Sequence, residues 1–186
     1  MPLFARAGNQ AEEPLANAVR TALSSAIANA APPEPVFTDT ASRIVYVRWL
    51  GDMSARLDTF TKQRLDLTTR HEFLQTVWYE SRRAGLETSL VLGLIQVESA
   101  FRKHAVSVAG ARGYMQVMPF WSRLIGDGDA GKLFHMQTNL RFGCLILRHY
   151  LDRESGDLLM ALGRYNGSRG RTEYPNAVLS AKRRWE

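Results

Sequence analysis

The residue of this chain best placed for chemistry is Glu98, a carboxylate closing the apolar run Leu90-Val-Leu-Gly-Leu-Ile-Gln-Val97. A charged carboxylate is costly to bury in such company, so the placement raises its pKa and keeps it protonated near neutral pH. A protonated carboxyl of this kind is a general acid, able to pass a proton to a departing glycosidic oxygen. Taken alone, a glutamate at a helix end more often points to water. Other chemistries find less support. His71, His104, His135 and His149 show no metal-ligand spacing, so no metal is expected. Cys144 is the single cysteine, on the apolar face of a predicted helix, and reads as a buried, inert thiol. The glycines of Ala109-Gly-Ala-Arg-Gly113 lack the Gly-Lys-Ser/Thr ending of a phosphate loop and suit close backbone approach beside a cleft. Asp127-Gly-Asp-Ala-Gly131 has Thr138 where a calcium loop needs its glutamate, and reads as a turn.

The neighbours of Glu98 sharpen the reading. Glu98-Ser99-Ala100-Phe101 is followed in order by Ala105-Val106-Ser107, by Gly110-Ala-Arg-Gly-Tyr-Met-Gln116-Val-Met-Pro119, and by Ala161-Leu-Gly-Arg-Tyr165-Asn166-Gly167. This series resembles the soluble lytic transglycosylases, whose catalytic domain is lysozyme-like. Their pattern is Glu-Ser-x-Phe, a Gly-x-x-Gly-x-Met-Gln-x-Met-Pro segment and a Tyr-Asn-x-Gly-like segment. The resemblance covers about residues 80–170. It implies a mainly α, lysozyme-like transglycosylase domain that cleaves peptidoglycan strands without a cofactor. Glu98 would protonate the bond between N-acetylmuramic acid and N-acetylglucosamine, then take the proton of the muramoyl C6 hydroxyl. Ser99 and Ser107 would lie near Glu98 and orient it or the substrate. Met115 and Gln116 would line the saccharide cleft, Gln116 with both a donor and an acceptor. Tyr165 would set its hydroxyl near Glu98, and Asn166 would support that loop or bind substrate. Tyr114 departs from the family's leucine, and Gly163-Arg164 replaces a pair of small residues. Ser168 follows Gly167 at a variable position. These departures bear on substrate preference.

Ordinary glycosidases pair two carboxylates. Here Asp127, Asp129, Glu154 and Asp157 fall in no matching motif, which leaves Glu98 alone. One acid/base suffices if the substrate's N-acetyl group shields the cationic C1 and its own C6 hydroxyl attacks in place of water. The product would be a 1,6-anhydromuramoyl end.

Helices must position these residues. Ile44, Val47, Trp49, Leu50, Met53 and Leu57 recur at helical intervals from Ser42 onward. Thr69-Arg-His-Glu72 has the form of a capping box starting a second helix, ended by Gly85. A third helix from Thr88 or Ser89 is apolar nearly all round and should be central. Asn139 is expected to cap a helix over 140–151, Asp157 one over 158–164, and Pro175 to sit in the first turn of a last helix over 174–184.

The 186 residues suit one domain. No stretch approaches the roughly 20 apolar residues of a membrane helix. Residues 1–40 are expected to form a poorly ordered leader and linker, with a signal-peptide remnant at 1–7 ending in Ala5-Arg-Ala7; residues 41–186 form the catalytic domain. Within the leader, alanine favours a short helix near residues 14–30. A net charge of +6 suits an anionic partner, and the scattered basic residues argue against a nucleic-acid stripe. Peptidoglycan strands are the expected partner in the periplasm, with proteins of the cell envelope or of a secretion machine beside them. Two alternatives share the fold: a hydrolytic muramidase of the goose-lysozyme kind, and a non-catalytic wall-binding scaffold.

Overall fold

The computed structural model describes residues 10–28 and 34–186; the expected remnant at 1–7 lies outside them. The described residues carry α1 (Asn17–Ala28), α2 (Thr40–Thr61), α3 (Leu67–Arg83), α4 (Thr88–Ser99), α5 (Phe120–Ile125), α6 (Met136–Arg153), α7 (Leu158–Asn166) and α8 (Glu173–Lys182), with a 3₁₀ turn over Ala130–Phe134. Among them the only β pairing is two isolated antiparallel bridges, Val106 to Arg112 and Arg112 to Val117. The expected mainly α architecture is the one adopted.

Three helices start on an aspartate whose carboxylate accepts a backbone N–H three residues on: Asp39 from Ser42 (2.7 Å), Asp66 from Thr69 (2.8 Å) and Asp157 from Met160 (3.0 Å). Thr69 is therefore not the cap of α3. The helix begins two residues earlier, and Asp66 also accepts the Thr69 hydroxyl at 2.8 Å. Asn139 likewise caps nothing. It lies inside the first turn of α6, fully enclosed, and its amide serves the loop before it.

Helix α4 is the central element, with Leu90, Val91, Leu92, Gly93, Leu94 and Ile95 all buried. Its most extensive partner is α8. The two approach so closely at Gly93 that a Cβ there would lie 2.6 Å from the backbone nitrogen of Lys182. Just past α4, Ala100 and Phe101 both take the left-handed conformation (φ 49° and 60°), reversing the chain immediately after Glu98-Ser99. The buried Phe101 ring meets Phe60, Phe73 and Trp185 edge-on, at 5.3, 5.8 and 5.2 Å between centroids.

Residues 10–28, within the expected leader, run across α5, α6 and α7. Gln10 accepts from Trp121 Nε1 at 2.9 Å and donates to the Tyr150 hydroxyl at 2.7 Å. Leu15, Leu23 and Ile27 pack on the core. At the C-terminal end of α1, Arg83 donates to the Ala26 carbonyl and Arg141 to that of Ile27, where a helix end favours cations. Both arginines also pair with Glu80, which is buried on α3.

Candidate active site

Glu98 occupies the last turn of α4, 8% exposed. Its Oε1 accepts the hydroxyl proton of Tyr174 at 2.5 Å, while Oε2 is enclosed and has no hydrogen-bond partner. Burial pushes the carboxyl up to about 8, and the Tyr174 bond opposes that rise without cancelling it. The group is thus neutral at pH 7, with one oxygen fixed and the other left to carry the proton. Tyr165 and Tyr174 are held well above the ordinary tyrosine range, first by burial and then by the nearby Glu98 charge. Both phenols remain donors across the physiological range.

Tyr165 is near enough to feel Glu98, but its hydroxyl donates to the Met115 carbonyl at 2.8 Å. The phenol on the acid is Tyr174, in the first turn of α8, which the motif series does not contain. Its signal in the sequence was position: it immediately precedes Pro175 at the start of the last helix.

The remaining expected residues serve the frame. Ser99 is buried and its hydroxyl donates back to the Ile95 carbonyl at 3.2 Å, within α4. Ser107 Oγ accepts from the Ala111 amide at 3.1 Å and closes the 107–111 turn. Met115 is fully enclosed and packs against Gly143, where a Cβ would lie 2.3 Å from its sulfur. Its carbonyl accepts the Tyr165 hydroxyl. Gln116 is 7% exposed, and both amide protons are engaged, by the carbonyls of Ala105 (3.1 Å) and Gly113 (2.9 Å). What it can present to a sugar is its carbonyl oxygen. Asn166 is buried at the end of α7, next to Tyr165.

Asn139 holds this loop in place. Its Oδ1 accepts from the Met115 amide, and its Nδ2 donates to the carbonyls of Arg112 and Leu133, all at 2.8 Å. Gly113 is required beside it: its φ is +76°, and a Cβ would lie 2.4 Å from Asn139 Nδ2. Among the described residues no group of three or more His, Cys, Asp or Glu side chains could hold a metal, and no helix is long and apolar enough to cross a membrane.

The arrangement can supply one neutral carboxyl, oriented through one oxygen, beside two phenols and a pinned loop. Comparison with known proteins gives a family and several relatives. The family described as "Transglycosylase SLT domain" matches residues 76–185. "Membrane-bound lytic murein transglycosylase C" of Actinobacillus pleuropneumoniae is 39% identical over 84 residues, 41% of this chain and 23% of that protein. "Transglycosylase" of Enterobacteria phage PRD1 is 31% identical over 115 residues, 58% of this chain and 42% of that one. The chain thus spans under half the length of these relatives. An inactive mutant of lytic transglycosylase Slt from Pseudomonas aeruginosa gives a TM-score of 0.49 at 23% identity, covering 74% of this chain and 27% of that one.

Proposed function

The chain belongs to the family that carries the transglycosylase SLT domain, and from that premise we propose that it is a peptidoglycan lytic transglycosylase with Glu98 as its single acid/base. The observation that carries this reading is the Glu98 carboxyl itself, pushed to about 8 by burial, with Oε1 held by Tyr174 and Oε2 without a partner. A proton on Oε2 is not engaged by the protein. Rotation about the C–OH bond turns it toward a bound strand while Oε1 stays on Tyr174.

In the first step that proton passes to the glycosidic oxygen between N-acetylmuramic acid and N-acetylglucosamine, and the C1–O bond breaks. The electron pair leaves with the oxygen, and the neighbouring N-acetyl oxygen shields C1. In the second step the Glu98 carboxylate takes the proton of the muramoyl C6 hydroxyl, and O6 bonds to C1. Atoms balance without water, and Glu98 ends protonated as it began. Tyr174 orients the acid and steadies the carboxylate formed between the steps. Gln116 offers its oxygen to a sugar hydroxyl, and Asn166 supports the Tyr165 turn. The site of action is the cell envelope, on its periplasmic side, where the substrate is found.

The test is mass spectrometry of fragments released from purified sacculi, with Glu98→Gln alongside. Anhydromuropeptides from the native protein and none from the variant are expected. Reducing ends would reassign the chain to the hydrolytic muramidases, and no release from either protein would favour the wall-binding scaffold.

A further inference from the structure

Arg164 stands where the family resemblance leads one to expect a small residue, directly before Tyr165. Its guanidinium is held from two sides. On one side Nε donates to Glu154 Oε1. On the other, Nη1 lies 3.2 and 3.4 Å from the two carboxylate oxygens of Glu13, which also pairs with Arg153. Glu154 in turn grips the far side of the α7–α8 connection: Arg169 Nε and Nη2 reach its two oxygens at 2.8 and 2.9 Å, a bidentate pair. Glu154 therefore ties the end of α7 to the loop that follows it.

That loop is the whole covalent path from Tyr165 to Tyr174. It folds back tightly on α7, with the Ser168 amide 2.7 Å from the Gly163 carbonyl and the Arg169 Cα 2.9 Å from where a Cβ on Gly163 would stand. Its backbone is also tied by the Gly167 amide to the Arg164 carbonyl (3.0 Å) and the Arg171 amide to the Ser168 carbonyl (2.9 Å), and Glu154 adds a charged side-chain anchor at Arg169.

We propose that Glu154 is a positioning residue for the reaction assigned above: through Arg164 and Arg169 it fixes the 167–172 connection, and so places Tyr174 on Glu98. Glu13 braces the same arginine from the N-terminal strap. The functional unit thus reaches beyond the family-matched residues 76–185. The inference rests on the reading of Glu98 as the acid, but the tie itself can be tested without turnover.

The experiment compares the native chain with Glu154→Gln, Tyr174→Phe and the double variant. Hydrogen exchange of the 167–174 amides in Glu154→Gln is expected to rise at least about tenfold, while α4 stays protected. On sacculi, kcat is expected to fall about tenfold with KM little changed, as a small misplacement produces. The double variant is expected to be no slower than Tyr174→Phe alone, because Glu154 acts through Tyr174. Unchanged exchange overturns the proposal whatever the activity. Raised exchange with native kcat, or losses that multiply in the double variant, overturns it as well. A native protein that exchanges as expected but releases no anhydromuropeptides sinks the transglycosylase reading while leaving the loop tie measured. Should Glu154→Gln not fold, Arg169→Gln, at a half-exposed side chain, removes the same grip from the loop side.

Discussion

Glu98→Gln should change the pH dependence of stability as well as activity. The folded carboxyl titrates at about 8 against an ordinary glutamate value of 4.5, so the unfolded chain ionises first as pH rises. Between those values the folded state binds more protons, and the native protein loses stability at about 1.4 kcal/mol per pH unit. Below 4.5 this contribution is fully present; above 8 the loss is complete, at about 5 kcal/mol. Glutamine does not ionise, so the variant escapes this loss. Its buried amide brings N–H groups to the place of the unpartnered Oε2, a penalty of about 1–3 kcal/mol that does not vary with pH. The slope is therefore the decisive quantity. Urea melts of both proteins at pH 4.5, 6, 7.5 and 9 should show the difference moving in favour of the variant up to pH 8 and then levelling. In thermal melts the gap should widen by about 10 °C between pH 5 and 8, given about 2–4 °C per kcal/mol for a chain of this size. Parallel pH profiles would refute the reasoning, since they require Glu98 to titrate alike in both states.

Activity on sacculi should fall as pH rises through about 8, where the acid loses its proton. Tyr174→Phe removes the one contact that lowers this pKa, so it should move the falling limb to higher pH while reducing kcat, read from pH–rate profiles. Gly113→Ala meets both a left-handed φ and the Asn139 amide, and should cost about 2–4 kcal/mol by chemical denaturation. Glu80→Ala leaves Arg141, 11% exposed, without its buried partner, and should cost about 3–5 kcal/mol in the same assay.

The parts of this molecule legible in its sequence are those governed by local pattern. The apolar run of α4, the Asp157 cap and the glycine after α3 each declare themselves within a few helical turns. The capping box at Thr69 misled because Asp66, immediately before the helix, accepts both the amide and the hydroxyl of Thr69, which leaves Thr69 inside the first turn. Asn139 has a cap's composition, but its partners at 112, 115 and 133 lie in segments that only the fold brings together. At the site, the cost of burying Glu98 only raised the question, and the ordered motifs at 98–101, 105–107, 110–119 and 161–167 singled it out. Tyr174 was not, because its role depends on α8 lying against α4, a contact between residues 76 positions apart. The serines and Met115 show the reverse: motif residues whose observed bonds and packing maintain the backbone around the acid. The ionic tie of Glu13 to Arg164 is the most remote, with 151 positions between the partners.

Gly93 sits five residues before the acid, and nothing about it is reactive. Yet α4 carries Glu98, α8 carries Tyr174, and the two are in contact through the missing side chain of this glycine against the backbone of Lys182 and Val178. A methyl group there acts as a wedge between the middle of α4 and the C-terminal end of α8, two rods whose far ends hold the proton donor and its phenol. In a genetic screen for inactive alleles, substitutions at position 93 should therefore be recovered alongside those of the acid itself, in proteins whose carboxyl and tyrosine are both still present.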